Sequence, residues 1–239
     1  MSLKQIFLIL GFFGILIWGC TPETEAPLPQ TRYNLRFMNF NSRVDPVDIR
    51  LRERASSQLV TDDLGFEDFW PVDGYASLLV TTRDTFSDVD SSLLTFLDIL
   101  DNRTKEELFD PIELGTFKFP TSVAIIDSFG KPVVIKTADD FEIPSGGSTT
   151  FRFFNFNQNF SSVSLEIKND TVITRSNAFL NSSGFLTTIS GKKTIYFVNN
   201  LSQTLIDSIP NFNMKSGRVY SIYLAQNKGV PTVGYEILH

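Results

Sequence analysis

Two stretches of the chain decide its fold because each repeats the other: residues 35–52, LRFMNFNSRVDPVDIRLR, and residues 151–168, FRFFNFNQNFSSVSLEIK. They align without gaps at an offset of 151 − 35 = 116 residues, and the identities are concentrated in the first half. The identical pairs are Arg36/Arg152, Phe37/Phe153, Asn39/Asn155, Phe40/Phe156, Asn41/Asn157 and Val47/Val163. Self-similarity of this kind predicts two homologous domains.

Both stretches have the period of β-strands. Val163, Leu165 and Ile167 alternate with polar residues, and residues 47–51 alternate in the same way. This pattern gives a strand one buried and one solvated face. Further strands are predicted at residues 75–82, 122–127, 132–136, 185–189, 194–199, 219–225 and 233–238. Turn residues separate these strands at the short spacing of a β-sandwich.

The predicted fold class is therefore all-β, with two tandem immunoglobulin-like antiparallel β-sandwich domains. Residues 91–108 also fit a helix, but we favour a strand, a turn at residues 101–104 and a second strand. The sequence PSGGST at residues 144–149 lacks periodicity and marks the domain boundary. Domain 1 is predicted at residues 31–146 and domain 2 at residues 147–239.

The repeated polar pairs Arg36/Arg152 and Asn39/Asn155 allow two interpretations. One is a binding site. The other, which we favour, is a strand-end motif in which each side chain bonds to the backbone of an adjacent loop.

The first 19 residues have the character of a signal peptide, with Lys4 ahead of an apolar run too short to span a bilayer. Ile17-Trp18-Gly19-Cys20 resembles the lipobox of bacterial lipoproteins. The resemblance implies cleavage before Cys20 and lipidation of its thiol, which would hold the protein to a membrane. The alternative is that Cys20 is an ordinary residue near the end of a secretory peptide.

Residues 20–30 are predicted to contain the lipidated Cys20 followed by a Pro/Glu tether, TPETEAPLPQ. Glu23 and Glu25 resemble the acidic export signal of Bacteroidota lipoproteins. That resemblance implies an outer-membrane lipoprotein exposed at the cell surface, with the periplasmic leaflet as the alternative.

Composition excludes several functions. The chain has one Cys and one His, and His239 is its last residue, so nucleophile–histidine catalysis and zinc binding lack their usual residues. The net charge is −6 and the cations are not clustered, so nucleic acid is not an expected partner. No nucleotide-binding glycine motif is present, and we predict no cofactor, no metal and no enzymatic activity.

Carboxylate pairs are the remaining candidates for acid–base chemistry. We interpret Asp62-Asp63, Asp98 with Asp101, and Asp139-Asp140 as ordinary strand or solvated loop residues, and assign no catalytic residue. Residues 84–90 offer three carboxylates to Ca²⁺ but lack the glycine and terminal Glu of a helical calcium loop.

Two further groups of residues are candidate sites. Phe66, Phe69, Trp70 and Tyr75 are interleaved with acidic residues and are possible ligand-contact aromatics, with core packing as the alternative. Thr171 and Ser208 lie in the tripeptides DTV and DSI, which resemble the Bacteroidota O-glycosylation pattern, although ordinary turns fit them as well.

The repeats also resemble the family called domain of unknown function 4397. The opening strand appears here as residues 35–39, LRFMN, and as residues 151–155, FRFFN. Residues 47–49, VDI, fit the aspartate-containing second strand, and residues 217–222, GRVYSI, fit the closing strand. The resemblance implies tandem immunoglobulin-like sandwiches on secreted or lipid-anchored bacterial proteins, without an established activity.

These observations favour a lipid-anchored cell-envelope protein with a non-enzymatic spacer or protein-interaction role. The alternative is a glycan-binding accessory lipoprotein at the cell surface. Its expected partners are the membrane, through the lipid on Cys20, and envelope proteins or glycans. Glycan binding needs exposed aromatic rings beside hydrogen-bonding side chains in the loops.

Overall fold

A computed structural model describes residues 30–53, 56–71, 75–81, 95–114, 119–167 and 173–239. These ranges contain β-strands, turns and loops but no helix. The strands form four sheets, which make up two sandwich-like bodies. The predicted all-β fold with two sandwiches is confirmed.

Within the described ranges, the first sandwich has nine strands: β1 Gln30–Phe40, β2 Val47–Glu53, β3 Ser56–Leu64, β4 Phe69–Trp70, β5 Ala76–Thr81, β6 Thr95–Asp101, β7 Ile112–Leu114, β8 Thr121–Ser128 and β9 Lys131–Ala138. One sheet has the order β4-β1-β8-β9, with β5 also pairing with β1. The second sheet has the order β3-β2-β6-β7. Side chains from both sheets, including Phe37, Ile49, Leu97 and Val123, form the core of the first sandwich.

The described part of the second sandwich has eight strands: β10 Ser148–Asn155, β11 Ser162–Ile167, β12 Ile173–Ala178, β13 Leu186–Ile189, β14 Gly191–Asn199, β15 Thr204–Met214, β16 Val219–Asn227 and β17 Val230–Ile237. Its sheets have the orders β13-β10-β16-β17 and β12-β11-β14-β15. The sequence repeat falls on equivalent strands, because residues 35–52 form β1 and β2 while residues 151–168 include β10 and β11.

Each sandwich contains one parallel pair, β1 with β8 and β10 with β16. The other pairings in the described ranges are antiparallel, as predicted. A parallel pair is typically buried on both faces. Residues 35–40, 121–126, 149–155 and 219–225 are accordingly buried without interruption.

The second face of these four strands explains why the burial is continuous. In β1, Leu35 and Phe37 point into the core of the first sandwich, whereas Met38 and Phe40 belong to a separate cluster shared with the second sandwich. The central sheets of the two sandwiches therefore pack against each other.

The repeated asparagines organise the loop that follows each opening strand. Asn39 Nδ2 donates to the Leu64 carbonyl at 2.9 Å, and its Oδ1 accepts from the Asn41 amide at 2.9 Å. Asn155 Nδ2 donates to the Phe160 carbonyl at 2.9 Å, and its Oδ1 accepts from the Asn157 amide at 3.2 Å. The predicted bonding of these two side chains to loop backbone is confirmed.

The ambiguous segment, residues 91–108, contains a strand rather than a helix in its described part. β6 runs to Asp101, and the Lys105 amide donates to the Asp101 carbonyl at 2.8 Å across the turn. Strand β15 escaped the sequence analysis because Pro210 interrupts its apolar pattern. It lies at a sheet edge, where proline is tolerated.

Within the described residues, no helix has the length and apolarity to cross a bilayer.

Replacing Asn39 with Ala tests the loop motif. The substitution leaves the buried Leu64 carbonyl and the Asn41 amide without their partner, so we expect the free energy of unfolding to fall by about 2 kcal/mol. Urea unfolding followed by circular dichroism measures the change. Asn213→Ala, at an exposed strand position, is the matched control and should cost no more than about 0.5 kcal/mol. Equal losses in both variants would contradict the assigned role of Asn39.

Candidate functional site at the junction of the two sandwiches

The two sandwiches meet through an apolar cluster, which we call the junction cluster. Its buried members are Met38, Phe40, Ala124 and Ile126 from the first sandwich and Phe154, Phe156, Tyr223 and Ala225 from the second. The ring centroid of Phe40 lies 5.1 Å from that of Phe156 and 4.6 Å from that of Tyr223. Burial of this apolar surface favours association of the two sheets.

Two buried arginines lie at the same junction. Arg36, on β1, has a fully buried side chain, and its Nε forms an ion pair with Glu236 on β17. Its Nη1 also donates to the Ile237 carbonyl at 3.3 Å. The cation belongs to the first sandwich and its carboxylate to the second.

Arg152, on β10, is the equivalent arginine of the second sandwich, and its carboxylate partner belongs to the first sandwich. Its Nη1 forms an ion pair with Asp139, which follows β9 in the first sandwich, and both side chains are buried. Its Nη2 donates to Ser122 Oγ at 3.0 Å, and its Nε donates to Ser221 Oγ at 2.9 Å. The guanidinium also lies over the rings of Phe154 and Phe185, 4.5 Å and 4.9 Å from their centroids.

Asp139 has further partners that satisfy its second oxygen. Its Oδ2 accepts from Ser122 Oγ at 2.6 Å and from the Tyr75 hydroxyl at 2.6 Å. Burial and the nearby charge of Asp139 raise the pKa of Tyr75 well above its ordinary value. The Tyr75 hydroxyl, which is protonated at neutral pH in any case, therefore keeps its proton and its bond to Asp139 at alkaline pH as well.

The ion pairs are crossed, because each sandwich supplies one arginine and one carboxylate. Removing either partner would leave an uncompensated charge in the interior, which is strongly unfavourable. Sliding or rotating one sheet over the other would separate both ion pairs and leave all four charges uncompensated. The junction cluster thus supplies apolar contact, and the crossed pairs favour one relative orientation of the two sandwiches.

This arrangement corrects the interpretation of the repeated arginines. Arg36 and Arg152 were expected to bond to the backbone of a loop at a strand end. They instead lie within the strands and pair with carboxylates across the junction. The reason is that both strands are buried on two faces, so a polar position between apolar ones faces the other sandwich rather than water.

The four predicted ligand-contact aromatics are partly buried and pack against core residues. Phe66 and Phe69 pack against the junction cluster, and Trp70 packs against the core of the first sandwich. The Tyr75 hydroxyl is bound to Asp139. Ligand contact by these residues stays a prediction.

Of the other predicted sites, only Ser208 lies within the described residues. Cys20, Thr171 and residues 84–90 lie outside the described residues. Ser208 lies on β15, partly buried, and its amide donates to its neighbour Asp207 at 2.7 Å. Lipidation of Cys20 and glycosylation of Thr171 and Ser208 stay predictions.

The carboxylates considered for catalysis lie in different environments. Asp62, Asp63 and Asp140 are exposed. Asp98 is buried beside Arg52 at 3.0 Å, and burial raises its pKa above the ordinary value despite that cation. The expectation of solvation is wrong for Asp139, because it neutralises Arg152 inside the junction.

No group of three His, Cys, Asp or Glu side chains converges as a metal site within the described ranges. One shallow cavity of about 280 Å³ opens beside the start of β10. Its lining residues are Glu142, Ile143, Pro144, Ser145, Ser148, Thr150 and Thr187. Its volume is just below the usual range for small-molecule sites.

The junction also contains Ser122, Ser221 and Glu236, which no sequence pattern indicated. Ser122 and Ser221 occupy equivalent places, since Ser122 pairs with Arg36 and Ser221 with Arg152 across the parallel pairs. A serine amid apolar residues in two equivalent strands is a signal, but it becomes informative only once the strand pairing is known.

Comparison with known proteins leaves the family open. No family model matches the chain, so the resemblance to domain of unknown function 4397 is not confirmed. No curated protein matches either.

The similarity to solved structures is distant. One match is a family CBM26 module of Amy13K from Eubacterium rectale, solved with maltoheptaose, with 15% sequence identity and a TM-score of 0.25. The match covers 84% of this chain and 96% of the CBM26 chain. The tip fimbrial protein Mfa3 from Porphyromonas gingivalis has 8% sequence identity and a TM-score of 0.28, and the match covers 87% of this chain and 99% of the Mfa3 chain. A candidate cell adhesion protein from Bacteroides uniformis has 8% sequence identity and a TM-score of 0.26, and the match covers 86% of this chain and 98% of the adhesion protein's chain. At these TM-scores the matches carry no argument about function.

A double-mutant cycle on Arg152 and Asp139 tests the junction. We expect Arg152→Ala and Asp139→Ala each to lower the free energy of unfolding by about 3–5 kcal/mol, because each leaves a buried charge. The double variant should lose much less than the sum of the two, since neither charge then remains. Urea unfolding of the full chain measures all three.

The Arg43–Asp127 pair provides the control, because the Arg43 side chain is 62% exposed. Arg43→Ala should cost no more than about 1 kcal/mol. Additive losses for Arg152→Ala and Asp139→Ala would show that these two residues are not coupled.

Proposed function

We propose that this chain is a lipid-anchored outer-membrane protein, exposed at the cell surface, whose two sandwiches form a non-enzymatic spacer and protein-interaction module. The observation that carries the proposal is the crossed pairing of Arg36 with Glu236 and of Arg152 with Asp139. A spacer needs its domains held in one orientation, and these pairs favour one. We place the boundary between the domains at residues 146/147.

Strand direction supports a role in presenting a surface away from the membrane. β1 starts at Gln30, the last residue of the predicted tether, and ends at Phe40. A strand of this length spans about 35 Å. Its parallel partner β8 ends on the same side. β10 also ends there, because Phe40, the last residue of β1, contacts Phe156, which directly follows β10, and β16 runs parallel to β10. One end of the molecule therefore lies opposite the tether.

The loops that meet at this end come from both sandwiches. They are residues 41–46, 127–131, 156–161, 179–185 and 226–230, which we call the distal loops. The Lys228 amide donates to Ser42 Oγ at 3.4 Å, and the Phe129 amide donates to Gln158 Oε1, so the loops of the two sandwiches touch. A spacer of this shape presents the distal loops to partners outside the membrane.

A second role, glycan binding at the cell surface, is favoured by one specific observation. Phe129, in the distal loops, is 75% exposed. An exposed aromatic ring beside amide side chains is what this alternative requires, although the ring belongs to a different part of the chain from the one the sequence indicated.

The lipid anchor is tested by Cys20→Ser. We expect the wild-type chain in the detergent-soluble membrane fraction and Cys20→Ser either in the soluble fraction or unprocessed with its signal peptide, because the thiol that carries the lipid is gone. Immunoblotting of cell fractions, combined with metabolic labelling by a palmitate analogue, measures both outcomes.

Thr21→Ser is the matched control, since it alters the neighbouring residue and keeps the thiol. It should be labelled and anchored as the wild type is. Recovery of correctly matured Cys20→Ser in the membrane fraction, at the wild-type level, would remove the lipoprotein assignment.

A further inference from the structure

We propose that the distal loops form a composite binding site for an anionic polysaccharide, with Phe129 as the stacking platform. The inference deepens the second of the two proposed roles and rests on it. It assigns a site and a ligand class that the predicted aromatic group, packed against the core, does not supply.

Phe129 occupies a backbone conformation that a bulky residue rarely adopts. It forms a two-residue turn with Gly130 between β8 and β9, and both residues have positive φ, +50° and +87°. Such turns favour Asn-Gly, because asparagine and glycine tolerate the left-handed region. An aromatic residue there is unfavourable for folding, so its presence points to a use outside the fold.

The equivalent turn of the second sandwich provides an internal comparison. Lys228 and Gly229 connect β16 to β17 with φ of +48° and +92°. The same backbone therefore carries a cation in one sandwich and an aromatic ring in the other. Nothing in the turn geometry requires a phenylalanine.

The ring of Phe129 is held at the junction rather than left on a loose loop. Its centroid lies 5.9 Å from that of Phe179 in the second sandwich, with the rings edge to face at 80°. Its amide donates to Gln158 of the second sandwich. The platform therefore depends on the fixed orientation of the two sandwiches.

The distal loops contain three cations and two carboxylates, Asp45 and Asp127, a local charge of 3 − 2 = +1 in a chain whose net charge is −6. The Arg43 guanidinium lies close to Gly130, within 3.1 Å of the position a Cβ would take, and its Nε pairs with Asp127 at 2.7 Å. Lys131 and Lys228 are exposed, and neither has an ion pair in the described part of the chain. This local excess of available cations favours an anionic ligand.

The polar side chains of the distal loops favour a sugar over an acidic peptide. Exposed amides occur at Asn159, Asn181 and Asn227, and Gln158 is partly exposed beside Phe129. Amide groups both donate and accept hydrogen bonds, which suits the hydroxyls of a polysaccharide. A ring face, cations and amides together match the CH faces, carboxylates or sulfates, and hydroxyls of an anionic polysaccharide.

Binding is measured by biolayer interferometry with the full chain carrying Cys20→Ser, purified in a non-ionic detergent. The immobilised probes are polygalacturonate, alginate and chondroitin sulfate, with dextran as the neutral probe and polyglutamate as the acidic polypeptide. We expect at least one anionic polysaccharide to bind more tightly than dextran or polyglutamate. Binding should weaken as salt is raised, because salt screens the cations.

Phe129→Asn separates binding from folding. Asparagine suits the turn, so the melting temperature should stay unchanged or rise, while affinity falls about tenfold through loss of the ring. Phe129→Tyr should keep the affinity. Lys228→Asn should weaken binding up to about fivefold and reduce its salt dependence.

Leu59→Asn is the control, since Leu59 is an exposed apolar residue away from the distal loops. It should leave affinity unchanged. No binding to any anionic polysaccharide, equal binding by Phe129→Asn, or binding to polyglutamate alone would overturn the site. Because Cys20 is replaced throughout, a failed anchor assignment leaves this test unaffected. Dextran binding that Phe129→Asn does not change would keep the glycan role but remove this site.

Discussion

The structure depends on how two buried arginines are neutralised. The central strands of each sandwich, β1 with β8 and β10 with β16, are buried on both faces. Arg36 and Arg152 therefore have no access to water, and a charge in such a place needs a partner. Each finds its carboxylate in the other sandwich. The two halves are complementary in charge only when they are assembled.

The junction contains two kinds of contact, apolar contacts and ion pairs, which have different effects. The junction cluster buries aromatic rings and supplies apolar attraction, which has little directional preference. The crossed ion pairs have a defined geometry, so they favour one arrangement among many that would bury similar apolar area. The shared arrangement also brings Phe129 and Phe179 together at the distal end. A composite site there therefore depends on the junction as well as on its own residues.

Much of the fold was predictable because it repeats and because strand periodicity is local. The asparagine motif was also predictable, since a short polar side chain at a strand end has few partners other than nearby backbone. The arginines were not, because a polar residue between apolar neighbours usually marks a solvated face, and only the pairing of β1 with β8 shows that both faces are buried. Phe129 was missed because it stands alone in a turn, whereas the sequence analysis looked for clustered aromatics. Its sequence signal, Phe-Gly between two predicted strands, is recognisable once the turn type is known.

Distance measurement by pulsed electron spin resonance can show whether the crossed ion pairs hold the two sandwiches in one orientation. Spin labels are placed at the exposed positions Leu59→Cys and Leu201→Cys, one in each sandwich, in the Cys20→Ser chain, which has no other thiol. We expect a single narrow distance distribution that broadens when Arg152→Ala is added. A broad or multiple distribution with both ion pairs intact would contradict this expectation.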